Sequence, residues 1–115
     1  MELFYINLLK TIAKVINQKK GNNLIVLDVS NISDFTNYFV FAEGNVCIHV
    51  KALANEVIHV LKKQNLLPHV EGMNHGDWIV IDYGYIVIHL FISAIRERYR
   101  LEELWKDGSN IALNF

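Results

Sequence analysis

Two apolar segments separated by three residues constrain the fold of this chain more than any other feature. Trp78–Asp82 and Ile86–Ile92 are rich in β-forming residues, and only Tyr83-Gly84-Tyr85 joins them. A connection this short predicts an antiparallel hairpin. Side chains alternate between the two faces of a strand, so one face of the second segment is purely aliphatic: Ile86, Ile88, Leu90 and Ile92. The opposite face of the hairpin combines apolar, polar and acidic side chains: Trp78, Val80, Asp82, Val87, His89 and Phe91.

This second face allows two interpretations. In the first, it is a docking surface for a protein partner, where Trp78 and Phe91 provide apolar anchors and Asp82 pairs with basic residues. In the second, helices cover both faces of the sheet, Trp78 and Phe91 belong to the core, and His89 is hydrogen-bonded to Asp82. Periodicity does not distinguish these interpretations, and both stay open at this point.

The first half of the chain shows one helix followed by two strands. Apolar residues at helical spacing predict an amphipathic helix, with Gly21-Asn22-Asn23 as its C-cap and turn: Phe4, Leu8, Ile12 and Ile16. Residues 24–29 and 38–42 are predicted strands, and one helical turn is predicted near Ser33 between them.

A longer helix and an edge strand are predicted before the hairpin. Asn45 is the predicted N-cap of the helix, and Pro68 closes the corner that follows it. Its apolar stripe consists of Val46, Val50, Leu53, Val57 and Leu61. After the hairpin, Ser93 is predicted to cap a last helix through Trp105, and residues 106–115 are predicted to be a short tail. We therefore expect a single domain over 1–115 with an α/β fold: a mixed sheet of about five strands flanked by helices.

Composition narrows the class of protein. Apolar residues make up 52% of the 115 positions, enough for a core without metal or disulfide support. The formal net charge of −1 disfavours a protein that binds nucleic acid mainly through phosphates. The lone Cys47 suits a reducing compartment, and no apolar run is long enough to span a membrane, so we expect a cytoplasmic protein. The basic cluster at 96–100, next to Glu102 and Glu103, is interpreted as a solvated helix face.

The sequence contains no recognisable motif of catalytic residues. The five histidines and one cysteine do not match a zinc site, the serines stand in cap or turn contexts, and the glycines do not form a phosphate-binding loop. We therefore expect no catalytic residues, no metal and no cofactor. The alternative is a nucleotidyltransferase-like enzyme in which Asp28 and Asp82, placed on the same sheet face, hold a divalent metal.

An ordered set of segments resembles the ribosomal silencing factor (Iojap-like) family across most of the chain. The matching segments are Val26-Leu27-Asp28-Val29, Asn37-Tyr38-Phe39-Val40, Gly44 with His49-Val50-Lys51-Ala52-Leu53-Ala54, Gly72 with residues 77–84, Val87-Ile88-His89-Leu90-Phe91, and residues 96–105. The spacings W-x-x-x-D-Y-G, V-x-H-x-F and Y-x-L-E-x-L-W carry most of the specificity.

The resemblance implies a sheet related to that of nucleotidyltransferases but lacking their catalytic residues. It implies that the protein binds the large ribosomal subunit through ribosomal protein fourteen, sterically blocks joining of the small subunit, and represses translation when nutrients are limiting. It also implies self-association off the ribosome, and a minor contact with ribosomal RNA stays open. With the resemblance, we assign partner binding to eight residues: Trp78, Asp82, Tyr83, His89, Phe91, Tyr99, Glu102 and Trp105.

Two positions depart from the family pattern. After Gly44 the family commonly has a polar run resembling Thr-Ser-x-Arg, whereas Asn45-Val46-Cys47-Ile48 stands here. A phosphate or RNA contact by this helix start is therefore not expected. After Tyr83-Gly84 the family usually has an acidic residue, and Tyr85 replaces it.

Overall fold

The computed structural model of the protein describes residues 3–111. Helices and strands follow the predicted order, with a short helix and a short strand added near the end. They are α1 (Leu3–Gln18), β1 (Asn22–Asp28), β2 (Tyr38–Gly44), α2 (Cys47–Lys62), β3 (His69–Glu71), β4 (Trp78–Asp82), β5 (Ile86–Ile92), α3 (Ser93–Tyr99), α4 (Leu101–Leu104) and β6 (Ser109–Asn110).

The strands form one mixed sheet in the order β3-β4-β5-β2-β1-β6. Only β2 and β5 pair in parallel, with Tyr38 aligned with Ile86, and α2 lies in the connection between these two strands. The predicted β4–β5 hairpin is confirmed, and Trp78 aligns with Phe91 across it. The sheet has six strands rather than about five, because β6 pairs with the end of β1 inside the stretch predicted as a tail.

The aliphatic face of the sheet lies under α1 and α2. The aliphatic side chains of β4 and β5 that point to this face are fully or almost fully buried, apart from Ile92 at the strand end. The predicted apolar stripes of α1 and α2 provide the other half of this core. The buried positions of both helices recur at the spacing of a single helix face. Phe4 and Val46 are exceptions, since each lies at the first turn of its stripe and remains more than half exposed.

The short helices α3 and α4, with the residues that follow them, cover part of the other face. They meet at Arg100, whose positive φ of 45° ends α3 and turns the chain back before α4 begins. The predicted single helix through Trp105 is therefore broken into two. This turn brings Leu101 and Trp105 against the sheet, where they pack beside Phe39 and Phe41.

Several predicted caps and turns are wrong. The N-cap of α2 is Val46, not Asn45, and the N-cap of α3 is Ile92, not Ser93; neither makes a side-chain cap bond. The single turn predicted near Ser33 ends at this residue instead of starting there, because the Ser33 backbone N–H donates to the Val29 carbonyl at 2.8 Å. The Ser33 Oγ accepts hydrogen bonds from two later backbone N–H groups. The turn predicted over Gly21-Asn22-Asn23 is shorter, because both asparagines already belong to β1.

Candidate docking surface

The second sheet face is built by three strands in register. We call it the mixed face and define it by Trp78 and Val80 of β4, His89 and Phe91 of β5, and Phe39 and Phe41 of β2. His89 lies in its centre because Val80 aligns with it on one side and Phe41 on the other. The two rings of Phe41 and His89 stack with centroids 5.4 Å apart and planes 18° apart. The position of the imidazole is thus determined by packing on both neighbouring strands.

A hydrogen bond joins the two polar aromatic side chains of the mixed face. The Trp78 indole Nε1–H donates to Nδ1 of His89 at 3.1 Å. The alternative in which His89 bonds to Asp82 is therefore wrong. Asp82 aligns with Val87 instead, and its Oδ1 accepts a hydrogen bond from the Gly84 backbone N–H at 2.7 Å. Asp82 is exposed at the rim of the face.

Burial determines the charge of His89. Desolvation in this aromatic surrounding lowers the pKa of His89 from its ordinary value of 6.5 to about 4. The imidazole is therefore neutral at physiological pH. Because Nδ1 accepts the hydrogen bond from Trp78, the single ring proton of the neutral imidazole lies on Nε2.

Aromatic side chains continue from the mixed face onto the covering segment. The Tyr99 ring lies 5.1 Å from that of Trp78, and the Trp105 ring lies 5.0 Å from that of Phe39. Phe35, from the loop before β2, packs edge-on against Trp105 at 5.9 Å. Tyr99, Phe35 and Leu104 are 49%, 71% and 74% exposed. Large, partly exposed aromatic side chains held by a rigid sheet are typical anchors of protein interfaces.

A buried ion-pair network holds the covering helices in place. The Arg96 guanidinium is only 6% exposed; its Nη1 donates to Glu43 at 3.2 Å and its Nε donates to Glu102 at 3.0 Å. Nη1 also donates to the Asn23 carbonyl at 2.6 Å. The interpretation of the 96–100 cluster as a solvated helix face is thus wrong for Arg96, although Arg98 and Arg100 are exposed.

The eight residues assigned to partner binding do not share one surface. Trp78, His89 and Trp105 are half-buried and, with exposed Tyr99 and Asp82, line or border the mixed face. Phe91 is fully buried beneath them, so it supports the surface without being able to contact a partner.

The other two assigned residues have different surroundings. The carboxylate of Glu102 is bound to Arg96. Tyr83 packs against the core on the α1 side, where burial raises its pKa to about 12 and its hydroxyl has no hydrogen-bond partner among the described residues.

The structure adds two residues that sequence reasoning missed. Phe35 is strongly exposed and extends the aromatic surface at its Trp105 end, and Leu104 is an exposed apolar side chain of α4. A phenylalanine in the otherwise polar connection 31–37 was an available signal for the first of them. No comparable signal marked Leu104, because its spacing fits a buried helix position equally well.

The two aspartates of the enzyme alternative do not converge. Asp28 aligns with Tyr38, which aligns with Ile86 on the aliphatic face, whereas Asp82 aligns with Val87 on the mixed face. The expectation that both lie on one face is therefore wrong. Both carboxylates accept hydrogen bonds from the chain just after them. Across residues 3–111 the structure shows no cluster of three ligating side chains able to hold a metal ion.

Membrane insertion by a helix finds no support in the described residues, where every helix is too short or too polar to cross a bilayer.

The fold and this surface define a mixed α/β sheet protein with a partly covered aromatic face suited to protein docking. Comparison with known proteins specifies the family. The protein-family model described as "Ribosomal silencing factor during starvation" matches residues 5–115, and the chain belongs to this family.

Individual relatives agree with this assignment. The chain is 31% identical over 107 residues to the ribosomal silencing factor RsfS of Halalkalibacterium halodurans, covering 92% of both chains. It is 29% identical to the mouse protein named mitochondrial assembly of ribosomal large subunit protein 1, covering 82% of this chain and 43% of that one. A crystal structure of a Chromobacterium violaceum protein superposes with a TM-score of 0.84 at 31% identity, covering 100% of this chain and 94% of that chain.

Proposed function

We propose that this protein silences translation by docking on the large ribosomal subunit through ribosomal protein fourteen, where it excludes the small subunit. Membership of a family described by ribosomal silencing during starvation supports the ribosome as the target and nutrient limitation as the occasion. The aromatic surface of Trp78, His89, Tyr99 and Trp105 is the observation that carries the docking step.

The mechanism is steric. This protein, bound where the small subunit would land on the large subunit, excludes the small subunit from that position, and no covalent step is needed. The half-buried rings of Trp78 and Trp105 provide the anchor area, and Asp82 at the rim can pair with a basic residue of the partner. The proposal places the protein in the cytoplasm and includes self-association off the ribosome and a minor contact with ribosomal RNA.

Sedimentation with purified ribosomal particles tests the proposal. The protein should co-sediment with free large subunits, and much less with free small subunits or joined ribosomes, because joining covers the docking site. Added before the small subunits, it should reduce the joined fraction. Removing ribosomal protein fourteen from the large subunits should abolish binding. Equal binding to both subunits, or unchanged joining at saturation, would contradict the proposal.

A further inference from the structure

We infer that His89 presents a single outward N–H donor on the mixed face, and that the partner group opposite it is a neutral carbonyl oxygen of a protein. The inference rests on the proposed function for the existence of the partner. The state of the imidazole itself follows from contacts within this chain.

The Trp78 indole selects the tautomer of His89. An indole nitrogen can only donate a hydrogen bond, so Nδ1 of His89, 3.1 Å away, must carry the accepting lone pair. The proton of the neutral ring is then on Nε2. The imidazole is stacked on Phe41 and lies 5.6 Å from Phe39, so it cannot reorient without disturbing both rings.

The Nε2–H group is available to a partner. It has no hydrogen-bond partner among the described residues, and it is not among the fully enclosed polar atoms that lack one, so the fold does not seal it off completely. A surface that covers Trp78 and Tyr99 would also cover this donor. Covering it without an acceptor would leave a buried polar group unsatisfied, which would weaken binding. The partner therefore needs an acceptor at this point.

The surroundings favour a carbonyl over a carboxylate. The rings in contact with His89 carry no charge: Phe39, Phe41, Trp78 and Phe91. The charged and titratable groups that share the face or border it are Glu43, exposed Asp82, Tyr99 and two arginines. Arg96 lies over the Phe91 ring and is paired with Glu43 and Glu102, and Arg98 lies over the Tyr99 ring. A partner carboxylate opposite Nε2 would lose its hydration among neutral rings, and Asp82 would repel it. Arg96 is already paired with two carboxylates, and Arg98 contacts the outer ring Tyr99 rather than His89. A basic residue of the partner does not fit here either, because a cation offers no acceptor to Nε2–H.

Nitrogen NMR of the imidazole tests the tautomer without any partner. With ¹⁵N-labelled histidine, Nδ1 of His89 should resonate as an unprotonated nitrogen and Nε2 as a protonated one throughout pH 5–8. In the Trp78→Phe variant the preference should weaken, because the donor is gone while a ring remains. A protonated Nδ1, or a charged ring at neutral pH, would overturn the inference whether or not the protein binds ribosomes.

Two matched variants test the acceptor. His89→Asn keeps an oxygen near the Nδ1 position for the indole but removes the outward donor, so affinity for large subunits should fall about tenfold with folding preserved. His89→Gln extends an amide N–H towards the Nε2 position and should recover most of that loss. Equal affinity of His89→Asn and the unmodified protein would reject the acceptor, while the docking proposal would stand on the large-subunit binding of both.

Proton linkage distinguishes the carbonyl from a carboxylate. A carboxylate opposite Nε2 would favour the imidazolium and make binding tighter as pH falls from 7.5 to 5.5. A carbonyl accepts from the neutral ring, so the affinity ratio of unmodified protein to His89→Asn should stay constant over that range. A ratio that rises several-fold at the lower pH would overturn the assignment to a carbonyl.

Discussion

His89 and Trp78 contribute both to the candidate docking surface and to the stability of the sheet. Each is half-buried, and a hydrogen bond joins the two. His89 stacks on buried Phe41, and Trp78 packs at a tilt against buried Phe91. Neither of the two sequence interpretations describes them fully. The same side chains support the sheet and remain available to a partner.

Lowering the pH should destabilise the protein through His89. Unfolded, this histidine takes up a proton near pH 6.5, whereas the folded protein keeps it neutral down to about pH 4. Its contribution to stability is therefore fully present above pH 6.5 and is lost as pH falls towards 4. The free energy of unfolding should drop by about 3 kcal/mol over this window on account of this residue.

Urea titrations at several pH values measure that change. The His89→Gln variant is the control, because it retains the other histidines and all carboxylates, so the difference between the two proteins isolates His89. Parallel pH dependence in both would show that His89 is not held neutral by the fold.

Truncating Trp78 should affect binding more than folding. Trp78→Ala removes a half-buried ring and leaves Nδ1 of His89 without its donor, so we expect the free energy of unfolding to fall by about 2 kcal/mol. Binding to large subunits should weaken by more than tenfold, as for a central interface anchor.

The matched core variant is Ile81→Ala. Ile81 is fully buried on the aliphatic face, and its truncation should lower the free energy of unfolding by about 3 kcal/mol. The folded fraction should still bind. If Trp78→Ala proved as destabilising as Ile81→Ala and bound normally, Trp78 would be a core residue only.

The helices α3 and α4 depend on one buried cation. Arg96→Met would leave the Glu43 and Glu102 carboxylates without their common partner, and breaking such a pair from one side costs about 3–5 kcal/mol. We expect a loss of about 3 kcal/mol in the free energy of unfolding, because Glu102 is partly solvated. Chemical denaturation followed by Trp78 and Trp105 fluorescence reports it.

Arg98→Met is the matched control, since Arg98 is exposed and, within residues 3–111, contacts the Tyr99 ring without forming an ion pair. It should change stability by no more than about 0.5 kcal/mol. Equal effects at 96 and 98 would show that the network does not hold these helices.

The elements that the sequence predicted correctly are those with strong local periodicity. The stripes of α1 and α2 and the alternation in β4 and β5 are patterns within single segments. Elements that depend on distant partners were missed. β6 is two polar residues that become a strand only beside Leu27 and Asp28, and Arg96 is buried only because Glu43 lies 53 positions earlier in the chain.

The candidate surface was predicted in the same partial way. The alternation of side chains placed Trp78 and His89 on one face. It could not show that the hydrogen-bond partner of His89 is Trp78 rather than Asp82. Charge pattern could not reveal that Glu102 faces inward. The family resemblance favoured this face as the docking surface, and it could not tell which members are covered by their neighbours, as Phe91 is.

At the scale of the whole molecule, the near-zero net charge predicts weak salt dependence. With a net charge of −1 and a docking face of neutral rings, binding to large subunits should release few counterions. Affinity should fall less than about tenfold between 50 and 200 mM salt, whereas a contact with six or more phosphates would lose about 10³-fold or more. Fluorescence anisotropy of a labelled protein over this series measures the slope, and a steep slope would indicate an RNA contact in place of a protein contact.

The parallel seam between β2 and β5 has a consequence for synthesis of the protein. The mixed face takes Phe39 and Phe41 from one side of this seam and Trp78 and His89 from the other. Tyr38 can pair with Ile86 only once β5 has left the exit tunnel. A nascent chain interrupted before β5 can therefore pair β1 with β2 but cannot form the mixed face. An incomplete copy of the chain therefore lacks the face that we propose to dock on the ribosome.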